Sequence, residues 1–118
     1  FTAERLAELR AANTPVLVDA TADWCITCKI NERLALKDPS VQQAMAERGV
    51  TLMVADWTRR DAAITAYLAS FNRNGVPLYV YYGPGAEPVV LPQLLTPALV
   101  RAAIENVPPS ESTITTGE

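Results

Sequence analysis

Cys25-Ile26-Thr27-Cys28 is the one segment of this 118-residue chain whose residue types and spacing announce chemistry. It follows a short apolar run that reads as a buried strand and precedes a stretch that reads as a helix. At this spacing the two sulfurs can close a disulfide across one helical turn or stand open as a dithiol. A helix N-terminus offers unpaired N–H groups and the positive end of the dipole to Cys25, which favours its thiolate. The thiolate is the attacking species in disulfide exchange, and Cys28, one turn deeper, is placed to resolve a mixed disulfide. A structural disulfide or half of a metal site would use the same residues, but the preceding strand points to redox chemistry.

Two carboxylates belong to the same constellation. Cys25, Cys28 and Glu32 recur at i, i+3 and i+7, so a helix would carry all three on one stripe. Asp19 closes the run Val16-Leu17-Val18. An acid at the end of a core strand is costly unless it serves a purpose. Proton exchange with the thiols would be that purpose, against the plainer readings of an exposed helical Glu and a hydrated strand-end Asp. Negative charge beside Cys25 disfavours its thiolate whereas the helix N-terminus favours it, so the two influences have opposite sign. Val76-Pro77 stands at the mouth of a later strand, where proline forfeits one ladder donor and is a candidate for a cis bond. With nine prolines in the chain, an ordinary trans loop proline is the competing reading. Trp24, next to Cys25, is either a docking surface for partner chains or packing.

Composition narrows the alternatives. Ten Lys and Arg against thirteen Asp and Glu give a net charge of −3, and no basic cluster appears, so nucleic acid is not an expected partner. The absence of histidine removes Cys–His nucleophilic catalysis and Ser–His–Asp triads. Two cysteines fall short of a tetrahedral zinc set, so neither metal nor cofactor is expected beyond the Cys25/Cys28 pair itself. The apolar runs are far shorter than the ~20 residues of a membrane-spanning helix. The chain opens at Phe1 without a basic-then-apolar leader, as a mature or excised domain would.

The elements that must position these residues can be read along the chain. A helix is expected over 4–13 with Leu6 and Leu9 on one face, then a strand from Val16 ending at Asp19. A helix follows from Cys25 to Leu36, with Ile30 and Leu34 stacked one turn apart. Asp38-Pro39 caps and opens another helix that Gly49 closes. Thr51–Ala55 is the second strand, and Thr58 or Asp61 caps a helix carrying Ile64, Tyr67, Leu68 and Phe71 on one face. Leu78–Tyr82 and a weaker Val89–Leu91 complete the strands, and Thr96-Pro97 begins a last helix with Leu99, Val100, Ala103 and Ile104, ended by Pro108-Pro109. This order predicts an α/β fold with a central mixed four-stranded sheet and helices on both faces. One domain over 1–107 is expected, followed by a flexible tail over 108–118 with a lone Ile114.

Val16-Leu17-Val18-Asp19, Trp24-Cys25-x-x-Cys28-Lys29 and Val76-Pro77 together resemble thioredoxin over nearly the whole chain. The resemblance implies that Pro77 is cis and packs against the disulfide, with Asp19 the buried acid behind it. The block from Asp19 to Glu32, with Ala55-Asp56-Trp57-Thr58 and Gly75 to Val80, is similar to the C-terminal domain of the DsbD/ScsB-type thiol:disulfide interchange family. That likeness implies a periplasmic, thioredoxin-like domain of an inner-membrane protein. Such a domain takes electrons from the membrane-embedded domain of its own polypeptide. It passes them to a periplasmic thioredoxin-like or DsbD N-terminal-type domain. The same likeness implies that Asp19 and Glu32 hold the first cysteine protonated, and that Trp24, Ile26, Thr27, Val76 and Pro77 meet the partner. Ile26-Thr27 replaces the Gly-Pro of thioredoxin and the Pro-His of the oxidase DsbA, and Arg33 stands where thioredoxin has a helical proline. Rival readings are a generic thioredoxin, a cytochrome-maturation reductase, and a non-catalytic module binding Cu(I) or clients through the thiolates.

Overall fold

The chain, given by a computed structural model and described over residues 1–105, begins with helix α1 (Ala3–Ala11). The Thr2 hydroxyl accepts from the Arg5 amide at its start, and Leu6 and Leu9 are its buried residues. Strand β1 (Val16–Thr21) runs parallel to β2 (Thr51–Asp56) on one side and antiparallel to β3 (Leu78–Tyr82) on the other. The short β4 (Val89–Val90) pairs antiparallel with β3, giving the order β2-β1-β3-β4. This is the expected mixed four-stranded sheet. Side chains alternate across it with the period of two that a pleated strand imposes. Val16, Val18 and Ala20 face α1 and helix α4 (Ala62–Ser70). Leu17, Tyr79 and Tyr81 face the other layer, which contains helices α3 (Pro39–Arg48) and α5 (Pro97–Glu105).

The punctuation residues act as their chemistry dictates. The Asp38 carboxylate caps α3 by accepting from the Ser40 amide, Pro39 occupies the first turn, and Gly49 ends the helix at φ 64°, a left-handed conformation that costs glycine little. Of the two residues expected to cap α4, Asp61 does so, accepting from the Ile64 amide.

Two expectations about the elements around the cysteines are corrected. Strand β1 does not end at Asp19 but continues to Thr21, because β2 and β3 both supply backbone partners past that point. Asp19 therefore sits inside the central strand. The helix expected from Cys25 to Leu36 consists of an α-helical part, α2 (Ile26–Asn31), and a π-helical turn (Glu32–Leu36) closed by the Lys37 amide on the Glu32 carbonyl at 2.9 Å. Ile30 and Leu34 share a stripe, but it faces outward, and both are exposed. The inward stripe is Cys28, Asn31 and Ala35. In α5, Val100 and Ile104 are buried and Leu99 is exposed. The expected end of that helix at Pro108-Pro109, and the tail beyond, lie outside the described residues. Among the described residues, no helix is long and apolar enough to cross a membrane.

Asn31 explains how a polar residue can hold an inward position. Its Nδ2 donates to the Tyr79 hydroxyl at 2.9 Å and to the Gln93 carbonyl at 2.7 Å, and its Oδ1 accepts from the Leu95 amide at 3.0 Å. One side chain thus ties α2 to β3 and to the segment entering α5. Asn31→Leu has similar volume but strands these three partners, and each buried group left unpaired costs about 1 kcal/mol or more. Urea unfolding should show a loss of about 3 kcal/mol, and an unchanged midpoint would contradict the assignment.

Candidate redox site

Cys25 and Cys28 are joined as a disulfide, with their Cα atoms 5.2 Å apart. Cys25 is the N-cap of α2, and its Sγ accepts from the Cys28 amide at 3.2 Å. A backbone donor of the first turn is therefore already aimed at the sulfur that would carry charge in the reduced state. The Cys25 amide donates to the Ala22 carbonyl at 3.1 Å, which holds the turn between β1 and α2. Cys25 keeps 8% of its surface and Cys28 only 2%. The first sulfur is thus the more open of the two, though well sunk into its surroundings. Ala22 and the half-buried Val76 pack against the cysteines. The Val76–Pro77 peptide bond is cis, and Pro77 is buried beside the start of β3.

Asp19 is buried in β1 directly opposite Tyr79 of β3, and opposite residues of an antiparallel pair point to the same face. Its carboxyl is pushed up from 3.8 to about 6, first by burial, then by the Glu32 carboxylate, while Lys29 works in the opposite direction. The Tyr79 hydroxyl is pushed up to about 12, chiefly by burial, with the Asn31 hydrogen bond opposing and the charges of Asp19 and Glu32 adding. Glu32, half-buried at the start of the π turn, is thus felt by both groups on the sheet. Lys29, outside, pairs with Asp23 at 3.6 Å.

On the outer side, Trp24 and Ile26 are exposed and Thr27 is half-buried. Val76 packs against the cysteines, with Trp24 just before them and Ile26 and Thr27 between them along the chain. Residue types and spacing mark Asp19, Trp24, Ile26, Thr27 and Val76 as site candidates, but not Tyr79 or Asn31. A polar residue three positions after Cys28, on the inward stripe, was the available signal for Asn31. Nothing local marks Tyr79, whose hydroxyl meets Asn31 from 48 residues away. Among the described residues, no three His, Cys, Asp or Glu side chains converge as a metal-holding group.

The raised Asp19 value carries a stability consequence. The folded chain binds this proton more tightly than the unfolded chain, so stability falls as the pH rises from 3.8 to about 6 and levels off above that. The fall amounts to about 3 kcal/mol at 1.4 kcal/mol per unit. Chemical unfolding of wild type and Asp19→Asn across this range should give a difference that grows with pH in the variant's favour. Parallel profiles would contradict the burial argument.

A sequence model of the thioredoxin-like family matches residues 1–84. The chain is 40% identical over 82 residues to the thiol:disulfide interchange protein DsbD 1 of Pseudomonas aeruginosa, an alignment covering 70% of this chain and 14% of the relative. It is 38% identical over 80 residues to DsbD of Escherichia coli K12, covering 67% and 14%. The chain thus spans only a small part of the curated relatives it matches. Among solved structures, the oxidised C-terminal domain of Neisseria meningitidis DsbD superposes with a TM-score of 0.69 at 24% identity, over 87% of this chain and 92% of that one. A Thermus thermophilus thioredoxin superposes with a TM-score of 0.69 at 18% identity, over 100% and 96%. Family match and superposition agree with the sheet order and the strand-to-helix placement of the cysteines: the chain belongs to the thioredoxin-like family.

Proposed function

We propose that the chain is a thiol–disulfide reductase domain that relays electrons through Cys25 and Cys28. The observation that carries this reading is the pair itself: two cysteines in a disulfide at the N-terminus of α2, the first capped by a backbone N–H and more open than the second. In the reduced state the Cys25 thiolate attacks one sulfur of a partner disulfide. A mixed disulfide forms and the partner's other sulfur leaves as a thiolate. Cys28, deprotonated, then attacks Cys25 Sγ. The intramolecular disulfide is restored and the partner's second thiolate is released. Two electrons pass to the partner, whose two thiolates take up the protons.

Asp19 and Glu32 are proposed to hold the Cys25 thiol protonated between encounters, since a neighbouring negative charge penalises a thiolate. Asp19, with its raised value, is suited to exchange a proton with the thiols near neutral pH. Trp24, Ile26, Thr27 and Val76 would form the surface that meets the partner; Pro77, also expected there, is buried and would not itself be exposed to it. The two curated relatives are named as interchange proteins and are far longer than the matched segment. By that likeness we assign the electron donor to a membrane-embedded domain of the same polypeptide. The acceptor is a thioredoxin-like or DsbD N-terminal-type domain, and the compartment is the periplasm.

The Cys28→Ser variant, reduced and mixed with oxidised insulin, should accumulate a covalent adduct that dithiothreitol releases. Cys25→Ser should form none and should reduce insulin no faster than buffer with the same reductant. Near-normal turnover by Cys25→Ser would overturn the assignment of the nucleophile.

A further inference from the structure

The exchange chemistry makes no use of the loop from β2 to α4, yet this loop is fastened to the residues immediately ahead of Cys25. The Asp23 amide donates to Thr58 Oγ1 at 2.9 Å, and that hydroxyl donates to Asp56 Oδ1 at 2.5 Å. The Trp24 indole N–H donates to the Thr58 carbonyl at 3.0 Å. Two residues later, Arg60 lays its guanidinium carbon 4.9 Å from the Trp24 ring centroid and 5.1 Å from that of Trp57. Both distances fall within the ~6 Å over which a cation is held by an aromatic face. The two indoles are themselves 5.9 Å apart and tilted, so the guanidinium bridges them.

The two rings differ in what holds them. Trp57 is buried in the core and donates its indole N–H to Thr65 Oγ1 at 2.8 Å. Trp24 is 48% exposed, and besides its single indole hydrogen bond its ring is braced by Arg60 and Trp57. Arg60 adopts a left-handed backbone at φ 54°, which an L residue with a side chain adopts only when its surroundings compensate. The stacking of its side chain on two indoles supplies such a compensation. A planar guanidinium suits a stacked position that a compact ammonium fills less well.

We propose that Arg60 is a positioning residue for exchange with protein disulfides: by bridging Trp24 to the core-anchored Trp57, it holds an apolar indole face rigidly beside Cys25, against which the chain around a partner's disulfide rests. The proposal rests on the thiol-exchange reading and adds to it a residue that acts through Trp24. A pre-ordered Trp24 lowers the ordering cost of each docking event, so loss of Arg60 weakens partner binding and leaves the sulfur chemistry in place.

The test uses the full 118-residue chain, with insulin as the protein disulfide and dithiothreitol as the recycling reductant. In Arg60→Ala, KM for insulin should rise about fivefold while kcat changes by less than about twofold. Arg60→Lys should fall between Ala and wild type. Relaxation of the Trp24 indole ¹⁵N–H, measured on the same proteins, should show an order parameter near 0.85 in wild type and below about 0.6 in Arg60→Ala. An unchanged KM, or a fall in kcat at constant KM, would overturn the proposal, as would a Trp24 that stays rigid without Arg60. If wild type itself failed to reduce insulin, the exchange reading would fall, while the order parameter would still decide whether Arg60 holds Trp24.

Discussion

Cys28 must turn inward one helical turn after Cys25 if the two sulfurs are to meet, and that requirement fixes the phase of everything that follows. With Cys28 against the core, the 3.6-residue period brings Asn31 and Ala35 inward and sends Ile26, Ile30 and Leu34 outward. The inward polar residue is then obliged to find partners. Asn31 finds them in Tyr79, Gln93 and Leu95, and in doing so locks the helix to β3 and to the segment entering α5. Glu32 arrives at the edge of the same stripe, where its charge reaches Asp19 and Tyr79. The π turn beginning at Glu32 lets Ala35 and Leu36 both reach the core.

Two electrostatic influences of opposite sign are proposed to meet at Cys25 Sγ. The first turn of α2 directs the Cys28 amide at Cys25 Sγ and lowers the cost of a thiolate there. The charges of Asp19 and Glu32 are proposed to act in the other direction. Burial already makes Asp19 resist ionisation, so its charge depends on pH near neutrality. The outer wall of the site is built differently, from stacked rings and a guanidinium rather than from buried carboxyls.

Much of this was legible in the residues. The Cys25/Cys28 spacing, Asp38-Pro39 with Gly49, and the strand–helix alternation each carry their own local physics, and the sheet and its helices follow from them. Asp19 was legible as an anomalous acid. Its place inside the central strand was not, because the continuation through Ala20 and Thr21 depends on hydrogen bonds from β2 and β3. Ile30 and Leu34 illustrate the limit of periodicity. Two apolar residues four apart define a stripe but not which way it faces, and here the cysteine link decides the direction. The partners of Asn31 and Tyr79 lie 48 or more residues away, and Arg60 reaches Trp24 only because the loop from β2 to α4 folds against the turn between β1 and α2, so none of these contacts is written in the local sequence.

Asp19 and Glu32 are proposed to outweigh the helix N-terminus and keep reduced Cys25 protonated. A thiolate-absorbance titration of the reduced protein beside Asp19→Asn and Glu32→Gln tests it most directly. Removing either negative neighbour should let the Cys25 thiolate form at lower pH, by about one unit or more. If both variants titrated at the wild-type pH or above it, the helix N-terminus would be in control and the two acids would have no hold on Cys25.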